Sequence, residues 1–392
     1  MNTVREWHLI TGEYPPQLGG VSDYTHSVAK GLADAGDNVH VWCPPAPSGT
    51  VQCAGVTVHR DLGRAGSKDL RNLSRDLERF PGPRQILVQW VPHAYGFRSM
   101  NVGFCLWLWE RARRGDRVDL MVHEASLGFG EGSWRQNVPA LVHRLMTTIL
   151  MRGASRIWIS TPRWEGRFRP YAFGREVPFE WLPIPSNIPV VQDSTGIRSL
   201  RKKYAPEGCL IIGHFGTYNP SVALPLESIL SALEATPFTG VILLMGAGSD
   251  EFRMRVHRQQ PGLASRVYAT GALAAEDLSR HLSACDLLVQ PYIDGVSSRR
   301  TSFMAGLSHG KPMLTTSGPP TEPLWAASGA VALVPVGDPH GFVESLGRLC
   351  ADENQRTLMG DAAKKLYRER FDLSHVIGRL RQVEDRETMC AF

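Results

Sequence analysis

The sequence predicts an α/β protein of two doubly wound, Rossmann-like domains facing each other across a cleft. Three observations predict it. The chain has 392 residues, long for one hydrophobic core, so two domains of about 190 residues are the natural division. Short continuous apolar runs alternate with helix-period stretches almost throughout, which is the pattern of βα units and parallel sheet. Near the middle, Leu182-Pro-Ile-Pro-Ser-Asn-Ile-Pro-Val-Val-Gln-Asp-Ser-Thr-Gly196 interrupts the alternation. Its prolines break any regular element and its polar tail suits a linker. The expected divisions are residues 1–190, 191–371 and a C-terminal segment 372–392.

In the first half the strands are expected at Trp7–Thr11, Val39–Trp42, Gln85–Trp90, Leu120–His123, Arg156–Ser160 and Phe179–Leu182. Helices are expected between them at Ser22–Ala35, Lys68–Arg79, Val102–Arg114, Ala140–Met151 and Arg163–Tyr171. The second half repeats the scheme, with strands at Leu210–Gly216, Val241–Met245, Val267–Thr270, Leu287–Gln290, Met313–Thr315 and Ala332–Val334. Its helices are Pro225–Ala235, Glu251–Gln259, Ala275–Ala284, Arg300–His309, Pro339–Ala351 and Gln355–Phe371. In such sheets ligands gather at the carboxyl ends of the strands, so residues just beyond those ends are the candidates for chemistry.

Composition narrows the class. Hydrophobic residues make up 43% and charged residues 21%, ordinary for a soluble globular protein. The longest apolar runs, such as Val241–Met245, are strand-sized and far short of a membrane span. The N-terminus enters a strand directly, with no signal-peptide pattern. The seven cysteines show no metal-ligand spacing, and Cys43, Cys209 and Cys285 lie in or beside apolar runs, as free thiols of a reducing cytoplasm do. No resident metal or cofactor is expected. The net charge of +5 comes from scattered basic residues without the aromatic-basic stripe of a nucleic-acid binder. Basic helices of the first half, as around Arg111–Arg117, either form a solvated face or touch anionic lipid at the inner face of a membrane.

The most informative stretch runs from Asp294 to Pro312. It leaves the strand-like run Asp286–Pro291 and opens the helix that carries Phe303, Met304 and Leu307. Backbone N–H groups at a helix start lack intrahelical partners, and the helix dipole adds positive charge there. Arg299 and Arg300 add forked cations suited to phosphate oxygens. Asp294, Ser297, Ser298, Thr301 and Ser302 line the same turn. With Arg300 inside the helix, adjacent side chains diverge by about 100°. One arginine, Arg299, is then expected to face an anion and the other to reach elsewhere.

Further candidates follow other strands. Gly19 and Gly20 stand just before the first helix, where a phosphate or sugar can approach the backbone. The loop is not GxGxxG, which disfavours a nicotinamide cofactor. His123 and Glu124 close the run Leu120–Val122, and a histidine there can hydrogen-bond a hydroxyl or move a proton, a satisfied core histidine being the alternative. His93 and Tyr95 follow Gln85–Trp90 at the same edge. In the second half, Gly216 and Thr217 can hold a diphosphate through N–H and hydroxyl groups, and Gly246 marks a further glycine turn.

Taken together, Glu13–Ser22, His123-Glu124, Pro185–Pro189, Gly213–Thr217, Met245–Gly248 and Thr270–Pro312 resemble, in order and spacing, the GT-B-fold retaining glycosyltransferases of family 4. The resemblance spans nearly the whole chain. It implies transfer of a sugar from a nucleotide-diphosphate donor bound by the C-terminal domain, without metal. The acceptor, a glycan, lipid-linked sugar or small molecule, would lie on the N-terminal domain, near His93, Tyr95 and Glu124. It places Gly271, Ala272 and Leu273 at the nucleotide, and implies that a final helix, Leu373–Glu387, crosses back to the first domain. The family's two glutamates, eight residues apart before a Gly-x-Pro, fall here on Ser297 and Ala305. The basic residues that usually follow the Gly216 loop are also absent from Tyr218–Pro225, and Arg299 and Arg300 take their place. His123, Arg299 and Arg300 are the expected catalytic residues of a transferase that stabilises a departing diphosphate electrostatically. A catalytically silent binding protein and a sugar-nucleotide epimerase share the fold and remain the alternatives.

Overall fold

The computed structural model describes residues 4–17, 19–46, 53–127 and 137–389, with side chains through Gln382. The chain divides into two units, Met1–Pro183 with Val376–Phe392, and Ile184–His375.

The first unit holds seven parallel strands: β1 (Glu6–Ile10), β2 (Asn38–Trp42), β3 (Val56–His59), β4 (Gln85–Trp90), β5 (Arg117–Val122), β6 (Arg156–Ile159) and β7 (Phe179–Trp181). Their order is β3-β2-β1-β4-β5-β6-β7. The register pairs Ile10 with Trp42 on one side and with Val88 on the other. Growth of the sheet reverses between β1 and β4, and at such a switch point the two outgoing loops part on opposite faces. Helices α1 (Gly20–Asp34), α2 (Ser67–Leu77), α3 (Val102–Arg113), α4 (Asn137–Gly153) and α5 (Arg163–Phe168) connect the strands. Every residue of β4 is buried, as a central strand covered on both faces requires. Leu70, Leu73, Trp90, Phe104, Met146 and Leu150 pack into the core on one side.

The second unit begins with α6 (Ser194–Tyr204). It continues through β8 (Ile211–Phe215), α7 (Pro220–Glu234), β9 (Val241–Met245), α8 (Ser249–Gln259), β10 (Val267–Ala269), α9 (Ala275–Ala284) and β11 (Leu287–Gln290). It ends with α10 (Thr301–Ser308), β12 (Met313–Ser317), α11 (Leu324–Ala327), β13 (Val331–Pro335), α12 (Pro339–Ala351) and α13 (Glu353–Arg370). Its parallel strands run β10-β9-β8-β11-β12-β13, with the switch point between β8 and β11. Leu230, Leu244, Phe252, Val289, Leu314 and Phe342 fill its core. The last helix, α14 (Leu373–Met389), belongs to the first unit from Val376 onward. There Arg381 pairs with the buried Asp37 at 3.1 Å, and Arg379 pairs with Glu180 of β7.

The structure differs from the sequence reading in local ways. β3 was not expected; it is an edge strand of only four residues, Val-Thr-Val-His, too short for its alternation to stand out. Arg163–Tyr171 is not one helix: α5 stops at Phe168 and a 3₁₀ turn, Arg169–Ala172, follows with Pro170 near its start. α7 starts at Pro220, ahead of the expected Pro225, because the Asn219 side chain accepts the Ser221 N–H at 3.1 Å and Pro220 takes the first helical position. Pro225 is tolerated inside the helix because the carbonyl it strands, on Ser221, is exposed to water. The six described cysteines are free, and no helix among the described residues is long and apolar enough to cross a membrane.

Candidate active site

Strand order alone brings the second unit's candidates to one edge, since β10, β9, β8 and β11 are neighbours and parallel. Their outgoing turns are also laced together. The Gly216 N–H donates to the Met245 carbonyl at 3.1 Å, and Gly246 N–H donates to the Gly271 carbonyl at 3.1 Å. Gly271 N–H in turn reaches Ser249 Oγ at 2.9 Å. At Gly246 the backbone has φ +116°, and a Cβ would lie 2.2 Å from the Gly216 carbonyl oxygen. Only glycine lets these two turns approach so closely. Thr217 is exposed beside them, its hydroxyl accepting from Asn219 at 3.2 Å. Ala272 and Leu273 follow the end of β10, the first exposed and the second half-buried.

Four helices start at this edge, and they are not equivalent as anion sites. α7 is capped by Asn219, α8 carries Asp250 and Glu251 in its first turn, and α9 carries Glu276 and Asp277. These side chains already answer the N-terminal charge. α10 has neither an acidic residue in its first turn nor a side-chain cap, and the two arginines stand at its mouth. This difference singles out the α10 start among the four.

The arginines are arranged otherwise than helical spacing suggests. α10 begins at Thr301, and Arg300 is its N-cap in an extended conformation, φ −85° and ψ 98°. Adjacent side chains therefore do not diverge as they would within a helix, and both guanidinium groups turn toward one carboxylate. Arg300 pairs closely with Asp294, and Arg299 lies 3.9 Å from its other oxygen. Arg300 also stacks on the Tyr292 ring at 4.7 Å. The Tyr292 hydroxyl meets Ser302 Oγ at 3.0 Å, and Thr301 is half-buried at the helix start. Asp294 thus holds a pair of cations in place at the open helix end.

Beneath this turn lies a residue the sequence reading passed over. The buried Glu322 carboxylate accepts the Ser298 N–H at 3.1 Å, the Ser298 hydroxyl at 2.7 Å and Trp325 Nε1 at 2.7 Å. Ser298, expected to touch a donor, spends its polar atoms inward on Glu322 instead. Its neighbour Ser297 is fully buried, with no hydrogen-bond partner for Oγ, and Ala305 is buried in α10. Glu322 lies 24 residues along the chain from Ser298 and outside any motif, so only the fold reveals it. Glu322→Ala would leave the Ser298 and Trp325 N–H groups buried without an acceptor. It is expected to destabilise the second unit by about 2–4 kcal/mol, read as a lower melting temperature in calorimetry. An unchanged melting temperature would contradict the anchoring role.

In the first unit, the helix start that follows Gly19 and Gly20, where a phosphate or sugar is expected to approach the backbone, already has a carboxylate of the chain on it. The Glu13 carboxylate accepts the Val21 and Ser22 N–H groups at 3.1 and 3.0 Å, supplying the anion for the α1 start from within the chain. A Cβ on Gly19 would lie 2.5 Å from that carboxylate, whereas nothing lies within 4 Å of one on Gly20. Tyr95, expected on the acceptor side, is a core residue. It is 2% exposed, and its hydroxyl is bonded to the Gln89 and Ile10 carbonyls at 2.6 and 3.2 Å. His93 and Glu124 are both exposed and pair at 3.4 Å across the ends of β4 and β5.

His123 follows β5 directly. Its Nε2 meets Gln89 Oε1 at 2.8 Å, and the Tyr24 ring stands edge-on at 4.9 Å. Trp164 Nε1 donates to its carbonyl at 3.3 Å. Burial lowers its pKa to about 3, so the ring is neutral near pH 7. With the Gln89 carbonyl accepting, Nε2 carries the proton and Nδ1 is left as an acceptor.

Comparison with known proteins agrees with this architecture. Residues 19–185 match the Glycosyl transferase 4-like domain, and residues 207–352 match the Glycosyl transferases group 1 domain. The chain therefore carries both domains of a GT-B glycosyltransferase and belongs to that class. A search of the curated proteins finds no match. Among solved structures, the sucrose-phosphate synthase of Thermosynechococcus elongatus aligns with a TM-score of 0.75 at 15% identity, over 99% of this chain and 100% of that one. HepE from Anabaena, solved in complex with UDP-glucose, aligns with a TM-score of 0.70 at 16% identity, over 99% and 100%. The UDP-forming α,α-trehalose-phosphate synthase of Burkholderia xenovorans, solved with glucose-6-phosphate, aligns with a TM-score of 0.69 at 12% identity, over 96% and 99%.

Proposed function

We propose that this chain is a retaining, metal-independent glycosyltransferase of family 4 that takes its sugar from a nucleoside-diphosphate donor. The donor binds at the carboxyl edge of the second unit's sheet. The observation that carries this reading is the start of α10, where the first turn has no acidic residue or side-chain cap and two arginines, both paired with Asp294, stand beside it. A diphosphate there meets unpaired backbone N–H groups, the helix dipole and two guanidinium forks. These supply the positive charge a divalent cation gives elsewhere, and they act most strongly on the charge that develops as the glycosidic bond breaks. Gly216, Thr217, Gly246 and the Gly271–Leu273 turn, on the neighbouring strands, provide close backbone approach for the rest of the nucleotide. Retention needs no protein nucleophile, because the departing diphosphate can itself take the acceptor's proton on the same face. The acceptor, a glycan, lipid-linked sugar or small molecule, is held by the first unit, where His123 hydrogen-bonds a substrate hydroxyl through Nδ1.

HepE, similar in fold, was solved with UDP-glucose, so UDP-glucose is the first donor to try. A silent binding protein is the second reading, favoured by Ser297 and Ala305, buried where the family places its glutamates. Incubation of the full chain with UDP-glucose and other sugar nucleotides in EDTA, followed by proton NMR of the anomeric signal, separates the two. Release of nucleoside diphosphate with the sugar's anomeric configuration kept supports the transferase. Inversion, a need for added Mg²⁺ or Mn²⁺, or consumption of no donor would count against it.

A further inference from the structure

Three histidines are stacked on one face of the first unit's sheet, at the edge away from β7. Strand alternation puts Glu6 and His8 of β1 on the same face as His40 and Trp42 of β2, since His8 pairs with His40 in register. His59 of β3 stands opposite Trp42 and completes the row. The rings pack on one another, His8 on His40 with centroids 5.3 Å apart and His40 on His59 at 5.4 Å. His59 lies flat on Trp42, 3.8 Å away at an interplanar angle of 10°. Phe80, just beyond α2, closes the row, 4.9 Å from His8 and 4.5 Å from His40. What an imidazole adds to such a stack is a nitrogen that takes a proton near neutral pH.

The hydrogen bonds inside the stack fit neutral rings. Trp42 Nε1 donates to His8 Nδ1 at 3.3 Å, so the proton of neutral His8 is on Nε2, 3.3 Å from Glu6 Oε1. A second proton on His8 would set two N–H donors against each other at Trp42. His40 Nδ1 and His59 Nε2 lie 3.1 Å apart, and one of them carries the proton between them; charging both rings again sets donor against donor. Burial is the main cause that lowers the pKa of all three, His8 to about 3, because a charge there loses its water. Carboxylates around the stack oppose this, Glu6 at His40, Asp61 and Asp76 at His59, and Asp116 at His8, while Arg84 adds to it at His8. Asp76 is paired with Arg79 at 3.2 Å and Asp116 with Arg84 at 3.1 Å, so burial prevails.

The strand that ends the row also holds a loop. β3 meets the sheet through β2 alone, and Arg60 leaves it directly after His59. The Arg60 guanidinium reaches the segment that follows β1, where it donates to the Pro15 carbonyl, and it lies 3.7 Å from Cys43 Sγ. Pro15 stands two residues beyond Glu13, whose carboxylate accepts the first N–H groups of α1. We propose that the histidine stack is a proton-operated latch: neutral, it holds β3 on β2 and, through Arg60, the segment that carries Glu13, and a proton entering it releases both. The closed form is favoured above about pH 6.5, the ordinary histidine value, and loses that advantage as pH falls below it. No residue of the nucleotide site takes part, so the latch stands or falls apart from the donor reading.

The test is hydrogen–deuterium exchange of the full chain, read by mass spectrometry at about pH 7.5 and about pH 5.5 and corrected for the intrinsic effect of pH on exchange. Each histidine that is neutral in the closed form and titrates freely in the open one raises the opening equilibrium by about tenfold over this interval. Exchange at β2, β3 and Thr11–Gln17 is therefore expected to rise by at least about tenfold at the lower pH, while β8 and β9 of the second unit keep their protection. H40F/H59F keeps stacked rings without the nitrogens and should abolish the rise; H40N/H59N, polar and smaller, is read in the same way where the phenylalanines do not fit. R60A should open Thr11–Gln17 at both pH values and leave β2 protected. Equal corrected exchange of wild-type β2 and β3 at the two pH values would overturn the proposal, as would a rise that the double variants retain or that β8 and β9 share equally. Protection of Thr11–Gln17 in R60A like that of the wild type would overturn it as well.

Discussion

Arg299→Ala is expected to weaken donor binding by about 2–5 kcal/mol, because it removes one partner of a desolvated charge pair with the diphosphate. Arg300 is fixed by a close pair with Asp294 and by the Tyr292 ring. Arg299 lies 3.9 Å from the other Asp294 oxygen, and the proposal assigns the phosphate oxygens to it. Arg300→Ala is therefore expected to have the smaller effect, acting through loss of order at the helix mouth. Arg299→Lys should restore only part of the affinity, since an ammonium lacks the planar fork. Calorimetric titration of each variant with the donor reads these differences. Wild-type affinity in both alanine variants would move the phosphate site away from α10.

His123→Ala is expected to lower turnover by about ten- to a thousandfold with the fold retained. Its ring bonds to Gln89 and packs edge-on against Tyr24, so its removal leaves a small cavity and takes the hydrogen-bond donor from Gln89 Oε1. His123→Gln, which keeps bulk and polarity, should recover part of the rate. The pH dependence distinguishes hydrogen bonding from acid–base cycling. The ring's pKa, about 3 in the folded chain, lies below the ordinary value of about 6.5. The folded ring therefore stays neutral from about pH 5 to 8, and kcat should show no inflection from His123 there. The same depression favours the folded state above about pH 6.5 and loses that contribution as pH falls toward the folded value. A kcat that breaks near pH 6.5 in the wild type and not in His123→Gln would show instead that the ring is charged during turnover. Unfolding of both variants would make it a core histidine.

How far the sequence could be read depended on whether the physics was local. The two sheets were legible because Ile86–Val88 and Val241–Met245 are continuous apolar runs at βα spacing, and both lie in fully buried strands inside their sheets. Gly216 and Gly246 were legible as loops after strands, Gly271 came from the family resemblance, and the strand order makes the three neighbours. What escaped the reading lies in tertiary contacts. Glu13 looks like a loop residue until its carboxylate is seen on Val21 and Ser22, and nothing near Glu322 announces its hold on Ser298. Tyr95 follows a strand end as a ligand-binding residue would, yet its ring folds back into the core. Placing the start of α10 one residue early was enough to send Arg300 in the wrong direction.

If the start of α10 recognises a diphosphate, the chain must distinguish nucleotides by their second phosphate. Calorimetry of the wild-type chain and the R299A/R300A variant, each titrated in EDTA with UDP and UMP and with the corresponding guanosine and adenosine pairs, isolates the contribution of the second phosphate. The account predicts that the preferred diphosphate binds the wild type far more tightly than its monophosphate, and that this preference largely disappears in the variant. Equal binding of the two nucleotides by the wild type, or a preference that survives intact in R299A/R300A, would contradict it.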